Sequence, residues 1–136
     1  MRYLAIDFGS KKIGLAISDE NGQMGFPHGI IPNSGRLIDE ILSLIERKRI
    51  DAVVIGESLD FAGNENPIAK EAKAFAQLLE QRSGMRAYFE PEMLTTQEAR
   101  RGFDGLRETG AGRKEVDASA AALILTSFLT KQQNHG

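Results

Sequence analysis

The sequence predicts a single α/β domain in which a five-stranded mixed sheet is flanked by helices. Two observations carry this prediction: three short apolar segments open the chain one after another, and helical and strand-like patterns alternate from residue 36 onward. Strands that follow one another directly pair antiparallel, whereas strands joined through a helix run parallel. The length of 136 residues suits one such domain.

The opening segments are rich in β-branched residues and are separated by turn sequences. Between the first two stand Gly9-Ser10-Lys11-Lys12, which are typical of a tight hairpin connection. The third segment contains Pro27 and Gly29, which favour an edge position or a bulge. We therefore expect strands at residues 2–8, 13–19 and 23–31.

The rest of the chain alternates between helical and strand patterns. Apolar residues recur at three- and four-residue spacing in the first helical segments, as on a buried helix face. The segment 118–125, ASAAALIL, is small or apolar on every side, which predicts a helix packed over much of its girth. The expected elements are a helix at 36–49, a strand at 52–56, a helix from Pro67 to Gly84 capped by Asn66, a strand at 86–89, a short helix from Thr95 and a final helix at about 115–131.

The composition restricts the chemistry. The chain has no cysteine and two histidines, which excludes disulfides, thiol catalysis and thiolate zinc sites. A bound metal would therefore be held by oxygen ligands, which favours magnesium, manganese or calcium. Neither an apolar run of membrane-spanning length nor a signal-like opening is present, so we expect a soluble cytoplasmic protein without membrane partners.

Positive charge is local rather than global. The formal net charge is −2, so the molecule as a whole does not attract nucleic acid. The segment 100–114 is nevertheless basic, with four glycines and only Asp104 and Glu108 as acids. This composition predicts a mobile loop. A solvated surface loop and a polyanion contact are both compatible with this pattern. Its basic residues are Arg100, Arg101, Arg107, Arg113 and Lys114.

Three carboxylates are predicted at one end of the sheet. Asp7 ends the first strand, Glu92 follows the fifth, and Asp117 is expected in the first turn of the last helix. Ligand sites of open α/β sheets gather at the carboxyl ends of parallel strands. Each acid also has an ordinary role: Asp7 in a turn, Glu92 as a solvated loop acid and Asp117 as a charge at a helix start.

The surroundings of these acids favour a shared metal site. Asp7 interrupts an apolar strand, and the neighbouring strand alternates small residues on one face from Gly14 onward. An unpaired buried carboxylate is costly, whereas several carboxylates around a divalent cation are stabilised by it. Two such ions about 4 Å apart can activate water and stabilise the leaving oxygen in phosphodiester hydrolysis.

Three motifs resemble the YqgF/RuvX family: DFGSKKIGLAISD at 7–19, EMLTTQEA at 92–99 and KEVDASAAALIL at 114–125. Members of that family are RNase H-like nucleases, described as Holliday junction resolvases and as processors of the pre-16S rRNA end. The resemblance spans nearly the whole chain and implies an RNase H-like fold with Mg²⁺ or Mn²⁺, two ions in all, held by Asp7, Glu92 and Asp117. The phosphate contacts we expect beside them are Lys11, Lys12, Arg100, Arg101, Arg113 and Lys114.

The chain departs from the family pattern in two places. Where the family usually has Asp-Glu-Arg-Leu-Thr-Thr, residues 91–96 read Pro-Glu-Met-Leu-Thr-Thr. Where the family favours Gly-x-Pro after the fourth strand, residues 56–58 read Gly-Glu-Ser. The acid is retained, but the arginine that Met93 replaces is a potential phosphate or carboxylate partner. These departures bear on substrate preference and activity.

The predicted function is metal-dependent cleavage of RNA in processing of the pre-16S rRNA 5′ end. Two alternatives stay open: a Holliday junction resolvase, and a non-catalytic nucleic-acid-binding or ribosome-assembly factor. The Asp-x-Gly opening also begins the phosphate loop of actin-like and sugar-kinase ATPases, but 136 residues cannot build their second domain. The sequence does not decide between a monomer and a homodimer.

Overall fold

The computed structural model describes residues 1–57, 67–91 and 110–135, and the side chains within them except those of residues 57, 110–119 and 133–135. The expected cap at Asn66 and the short helix from Thr95 lie outside these ranges. In chain order, the described elements are β1 (Tyr3–Phe8), β2 (Lys12–Ser18), β3 (Gly25–Pro32), α1 (Leu37–Lys48), β4 (Ala52–Glu57), α2 (Pro67–Ser83), β5 (Ala87–Pro91) and α3 (Gly110–His135).

The five strands form one mixed sheet in the order β3-β2-β1-β4-β5. The hairpin-connected strands β1, β2 and β3 pair antiparallel, whereas β4 pairs parallel with both β1 and β5. The predicted five-stranded mixed sheet is therefore confirmed. Its central strand is β1, so the residue at the carboxyl end of β1 lies in the middle of the sheet edge.

Strand β3 occupies the edge of the sheet, as its proline and glycine predicted. Leu15 pairs with Gly29 and Ala16 pairs with Pro27, so one residue of β3, His28, has no partner on β2. This extra residue is a β-bulge, which increases the local twist and bends the strand. Among the strands that the structure describes, none pairs with the outer side of β3.

The two faces of the sheet bury separate cores. On β1, Leu4, Ile6 and Phe8 pack with α1 and α2, whereas Tyr3 and Ala5 pack with α3. This alternation follows from the two-residue period of a strand. Leu4 and Ile6 are fully buried, and each contributes about 1.5–3 kcal/mol through its burial.

Helix α1 ends where the sequence predicted, next to the edge strand. Arg49 adopts a left-handed conformation with φ of 54°. Its N–H donates to the carbonyl oxygen of Glu46, and the N–H of Ile50 donates to that of Ile45 at 3.0 Å. These bonds satisfy carbonyl groups of the last turn, which is the usual way in which a left-handed residue terminates a helix.

Helix α3 is longer than predicted, which corrects two expectations. It begins at Gly110, so residues 110–114 are helical and do not belong to a loop. Asp117 lies seven residues after the first residue of the helix and not in its first turn. Glycines at 110 and 112 suggested a break because each costs about 1 kcal/mol in a helix, but that local preference is easily outweighed by tertiary packing.

Among residues 120–132 of α3, whose side chains the structure describes, one side is buried, which differs from the expectation of packing over much of the girth. Ala121, Ile124, Leu125 and Phe128 pack against the sheet. Leu123, on the other side, is 37% exposed. This part of the helix covers one face of the sheet, so the side chains on its opposite side are exposed. Within the described ranges, each helix is too short or too polar to traverse a lipid bilayer.

Candidate active site

Asp7 is the next-to-last residue of β1 and is partly buried. It pairs with Gly14 of β2, which is buried. The strand period places Asp7 on the same face as Ala5, the face that α3 covers. The expectation of an acid at the carboxyl end of an apolar strand, beside a small residue, is thus confirmed.

A second glycine lies on the other side of Asp7. Ile6 pairs with Ile55 of β4, so the following residues, Asp7 and Gly56, are adjacent across the β1–β4 ladder. The residues directly opposite Asp7 on both neighbouring strands are therefore glycines, which have no side chain. No local pattern in the sequence indicates that Gly56 belongs to this site, although it is the glycine retained from the Gly-x-Pro pattern. Space and an oxygen donor of this kind fit a divalent cation.

Glu90 continues the row that Asp7 and Gly56 begin. It pairs with Gly56 in the parallel β4–β5 ladder. At about 4.8 Å between strands, the Cα atoms of Asp7 and Glu90 are about 10 Å apart, and the residue between them in the sheet is Gly56. The row puts a second carboxylate on the α3 face at the same end of the sheet.

The Glu90 carboxylate is buried and bound by α3. It is 3% exposed, and among the described residues the only other buried polar side chain is Ser18. Its Oε2 accepts a hydrogen bond from Ser127 Oγ at 3.1 Å and contacts Lys131 Nζ at 2.6 Å. Lys131 is half exposed, so water can hydrate its ammonium group. Sequence reasoning missed Glu90; the strand period, which puts it on the same face as Tyr88, was the available signal.

The turn that follows Asp7 is held by strand β3. A Cβ on Gly9 would lie 2.5 Å from the carbonyl oxygen of Lys12, so this tight turn requires glycine. Asn33 donates its backbone N–H to Lys11 O at 2.9 Å and its Nδ2 to Gly9 O at 2.8 Å. Lys11 and Lys12 are exposed beside Asp7 in the chain. Asn33, which sequence reasoning also missed, therefore positions the lysine-bearing turn.

The other predicted site residues are described in part or not at all. Glu92, Arg100 and Arg101, like the departure at Met93, lie outside the described residues. The backbone of α3 includes positions 113, 114 and 117, but their side chains are not described. The side chains that are described include no group of three or more His, Cys, Asp or Glu residues able to hold a metal ion. The meeting of Asp7, Glu92 and Asp117 stays a prediction.

Strand order, strand directions and the covering helices define an RNase H-like fold of the resolvase type. Thermus thermophilus RuvC, solved with a Holliday junction substrate, matches with a TM-score of 0.64 at 18% identity, over 98% of this chain and 96% of that chain. The fowlpox virus Holliday junction resolvase matches with a TM-score of 0.56 at 15% identity, over 96% of this chain and 99% of that chain. At these identities the likeness establishes the fold alone.

The family follows from the sequence comparisons. The family model described as "RuvX: Holliday junction resolvase" matches residues 1–131, and the chain belongs to this family. A relative from Oleidesulfovibrio alaskensis, named "Putative pre-16S rRNA nuclease", is 38% identical over 95% of this chain and 92% of its own. A relative of the same name from Tropheryma whipplei is 40% identical over 93% of this chain and 85% of its own. The predicted resemblance is confirmed, and the family is one of nucleic-acid-cleaving hydrolases.

Proposed function

We propose that this protein is a cytoplasmic nuclease that uses divalent metal ions to hydrolyse phosphodiester bonds near the 5′ end of pre-16S rRNA. The observation that carries the proposal is the place of Asp7, a partly buried acid at the carboxyl end of the central strand, flanked by two glycines. The names of the relatives support an RNA substrate. The family and the fold support cleavage of nucleic acid.

Asp7, Glu92 and Asp117 are the proposed ligands of Mg²⁺ or Mn²⁺. Position 117 precedes Ala121 by four residues and Ile124 by seven, and both of those residues pack on the sheet. The helical period therefore favours the sheet-facing side for position 117. Glu92 follows Glu90 by two residues in the sequence. Carboxylate oxygens are the ligands that these ions prefer.

Divalent ions bound at such a site lower the pKa of water and stabilise the leaving oxygen of a phosphodiester. The protein's own contribution is to position the substrate. Lys11 and Lys12 are exposed on the turn after Asp7, where they neutralise backbone phosphates. We assign the same role to Arg100, Arg101, Arg113 and Lys114. Such contacts bind the backbone and do not identify bases.

The test is a cleavage assay with labelled pre-16S rRNA, single-stranded RNA and a four-way DNA junction. Each is incubated with Mg²⁺, with Mn²⁺ or with chelator. Asp7→Asn should lower the rate by about 100-fold or more, the scale of losing one catalytic group. Glu40→Gln, at an exposed position of α1, is the matched control and should cleave normally. Cleavage that survives chelation, or that Asp7→Asn leaves unchanged, contradicts the proposal.

Resolution of Holliday junctions is the second candidate, favoured by the description of the family model. Preferential, paired cleavage of the four-way junction over RNA would support it. A resolvase that cuts a two-fold junction symmetrically is expected to act as a dimer, whereas an RNA processor need not. Binding without cleavage under every metal condition would instead support a non-catalytic ribosome-assembly factor.

A further inference from the structure

A groove of about 330 Å³ lies on edge strand β3, at the end of α1. Phe26 pairs with Ile17, whose side chain packs with the α1 face of the sheet. The groove is therefore on the face opposite α3. Ile17 pairs with Leu4, three residues before Asp7, so the groove is about 10 Å from Asp7 along the strand direction. It is separate from the candidate active site. Its lining residues are Arg2, Ile17, Ser18, Phe26, Pro27, His28 and Lys48.

An aromatic ring is exposed in this groove. Phe26 is 50% exposed although it is a large apolar side chain. It lies on β3, which is an edge strand of the sheet formed by the described residues. Exposed aromatic rings are the surfaces on which unpaired bases of single-stranded nucleic acids stack, and every base can stack in this way.

The cationic side chains of Arg2 and Lys48 line the groove together with the ring, and none of the described residues that line it is an acid. Arg2 donates from Nη1 to the carbonyl oxygen of Lys48 at 2.9 Å, which holds its guanidinium at the end of α1. Its Nη2 is 3.3 Å from Glu20 Oε1, but Glu20 is 85% exposed, and such pairs offset little charge. Burial, and then the charges of Lys48 and Arg47, hold the pKa of His28 below its ordinary value. Arg2 and Lys48 thus place two cationic side chains at the groove, with the carboxylates of Asp51, which accepts from the backbone N–H of Arg2 at 2.8 Å, and Glu20 beside them.

We propose that Arg2, Phe26, His28 and Lys48 form a second nucleic-acid contact, which binds an unpaired nucleotide of single-stranded RNA. The base would stack on Phe26, and Arg2 and Lys48 would contact the adjoining phosphates. The basic side chains that line the groove favour a polyanion over a protein partner, and a stacking ring favours an unpaired strand over a duplex. The choice of RNA rests on the proposed function. The contact would select substrates with a single-stranded segment away from the cleaved bond.

The test measures binding of a labelled oligouridylate, an oligothymidylate and an RNA duplex by fluorescence anisotropy, with chelator present to prevent cleavage. Phe26→Ala should weaken binding of the oligouridylate about tenfold and that of the duplex much less. Lys48→Gln should lower the slope of log affinity against log salt by about 0.7. Leu78→Ala and Lys70→Gln, both exposed on α2, are matched controls and should bind normally. Thermal unfolding checks that each variant is folded.

Three results would overturn the proposal. They are unchanged binding by both groove variants, equal losses for strand and duplex, and conversion of a dimer to a monomer by Phe26→Ala with unchanged RNA affinity. A larger loss for oligothymidylate than for oligouridylate would contradict the choice of RNA. Cleavage of a short substrate, measured with Asp7→Asn beside the groove variants, tests the proposed function separately. If Asp7→Asn loses cleavage and Phe26→Ala binds RNA normally, the second nucleic-acid contact is rejected and the proposed nuclease function is kept. If Asp7→Asn cleaves normally and Phe26→Ala binds RNA weakly, the proposed nuclease function is rejected and the second contact is kept.

Discussion

Lys131→Met is expected to destabilise the protein because it removes the cation from a buried carboxylate. Glu90 Oε2 contacts Lys131 Nζ at 2.6 Å and accepts a hydrogen bond from Ser127 Oγ at 3.1 Å. These contacts join β5, which ends just before Glu92, to α3, which contains Asp117. Methionine keeps a long apolar side chain, so the fall in the free energy of unfolding is due more to the lost charge than to lost packing.

The expected magnitude lies between two limits. Exposed ion pairs contribute about 0–1 kcal/mol, whereas removing one partner of a fully buried pair costs about 3–5 kcal/mol. The side chain of Glu90 is 4% exposed and that of Lys131 is 56% exposed. We therefore expect the free energy of unfolding to fall by about 2 kcal/mol. For a domain of this size, that corresponds to a fall of about 8 °C in Tm.

Urea unfolding and calorimetry of the wild type, Lys131→Met, Glu90→Gln and the double variant measure this effect. The double-mutant cycle should give a coupling energy of about 1–2 kcal/mol. Gln132→Met, at the next and exposed position of α3, is the matched control and should stay within about 0.5 kcal/mol of the wild type. Lys131→Met with wild-type stability and zero coupling to Glu90 would refute the reasoning.

Two further predictions concern the turn after β1 and the bulge of β3. Gly9→Ala should cost about 2 kcal/mol in urea unfolding, because its Cβ would lie 2.5 Å from Lys12 O. Gly35→Ala, whose Cβ meets nothing within 4 Å, is the control; equal losses would show that the close approach is not the cause. NMR titration of His28 should give a pKa below 6.5, because of burial and the charge of Lys48, and Lys48→Gln should raise it. Stability should accordingly fall as the pH drops from 6.5 through that pKa, and a pKa at or above 6.5 would contradict the assignment.

Local patterns predicted most of the fold. The alternation of Leu4 and Ile6 with Tyr3 and Ala5 along the chain identifies the two faces of β1, and the two cores contain these pairs separately. Directly connected strands paired antiparallel and helix-connected strands paired parallel, as elementary chain geometry requires. The start of α3 was predicted wrongly because the glycines at 110 and 112 favour a loop only as a local preference of about 1 kcal/mol each, and the helix nevertheless begins at Gly110.

The sequence by itself determined the class of fold, the place of Asp7 at the carboxyl end of the central strand and the family of the chain. Only the tertiary structure decided that Gly56 lies beside Asp7 and that Glu90 is bound by Lys131, 41 residues away. The reason is one of range. Side-chain period and turn chemistry act over a few residues, whereas strand register and a buried ion pair exist only once distant segments pack together.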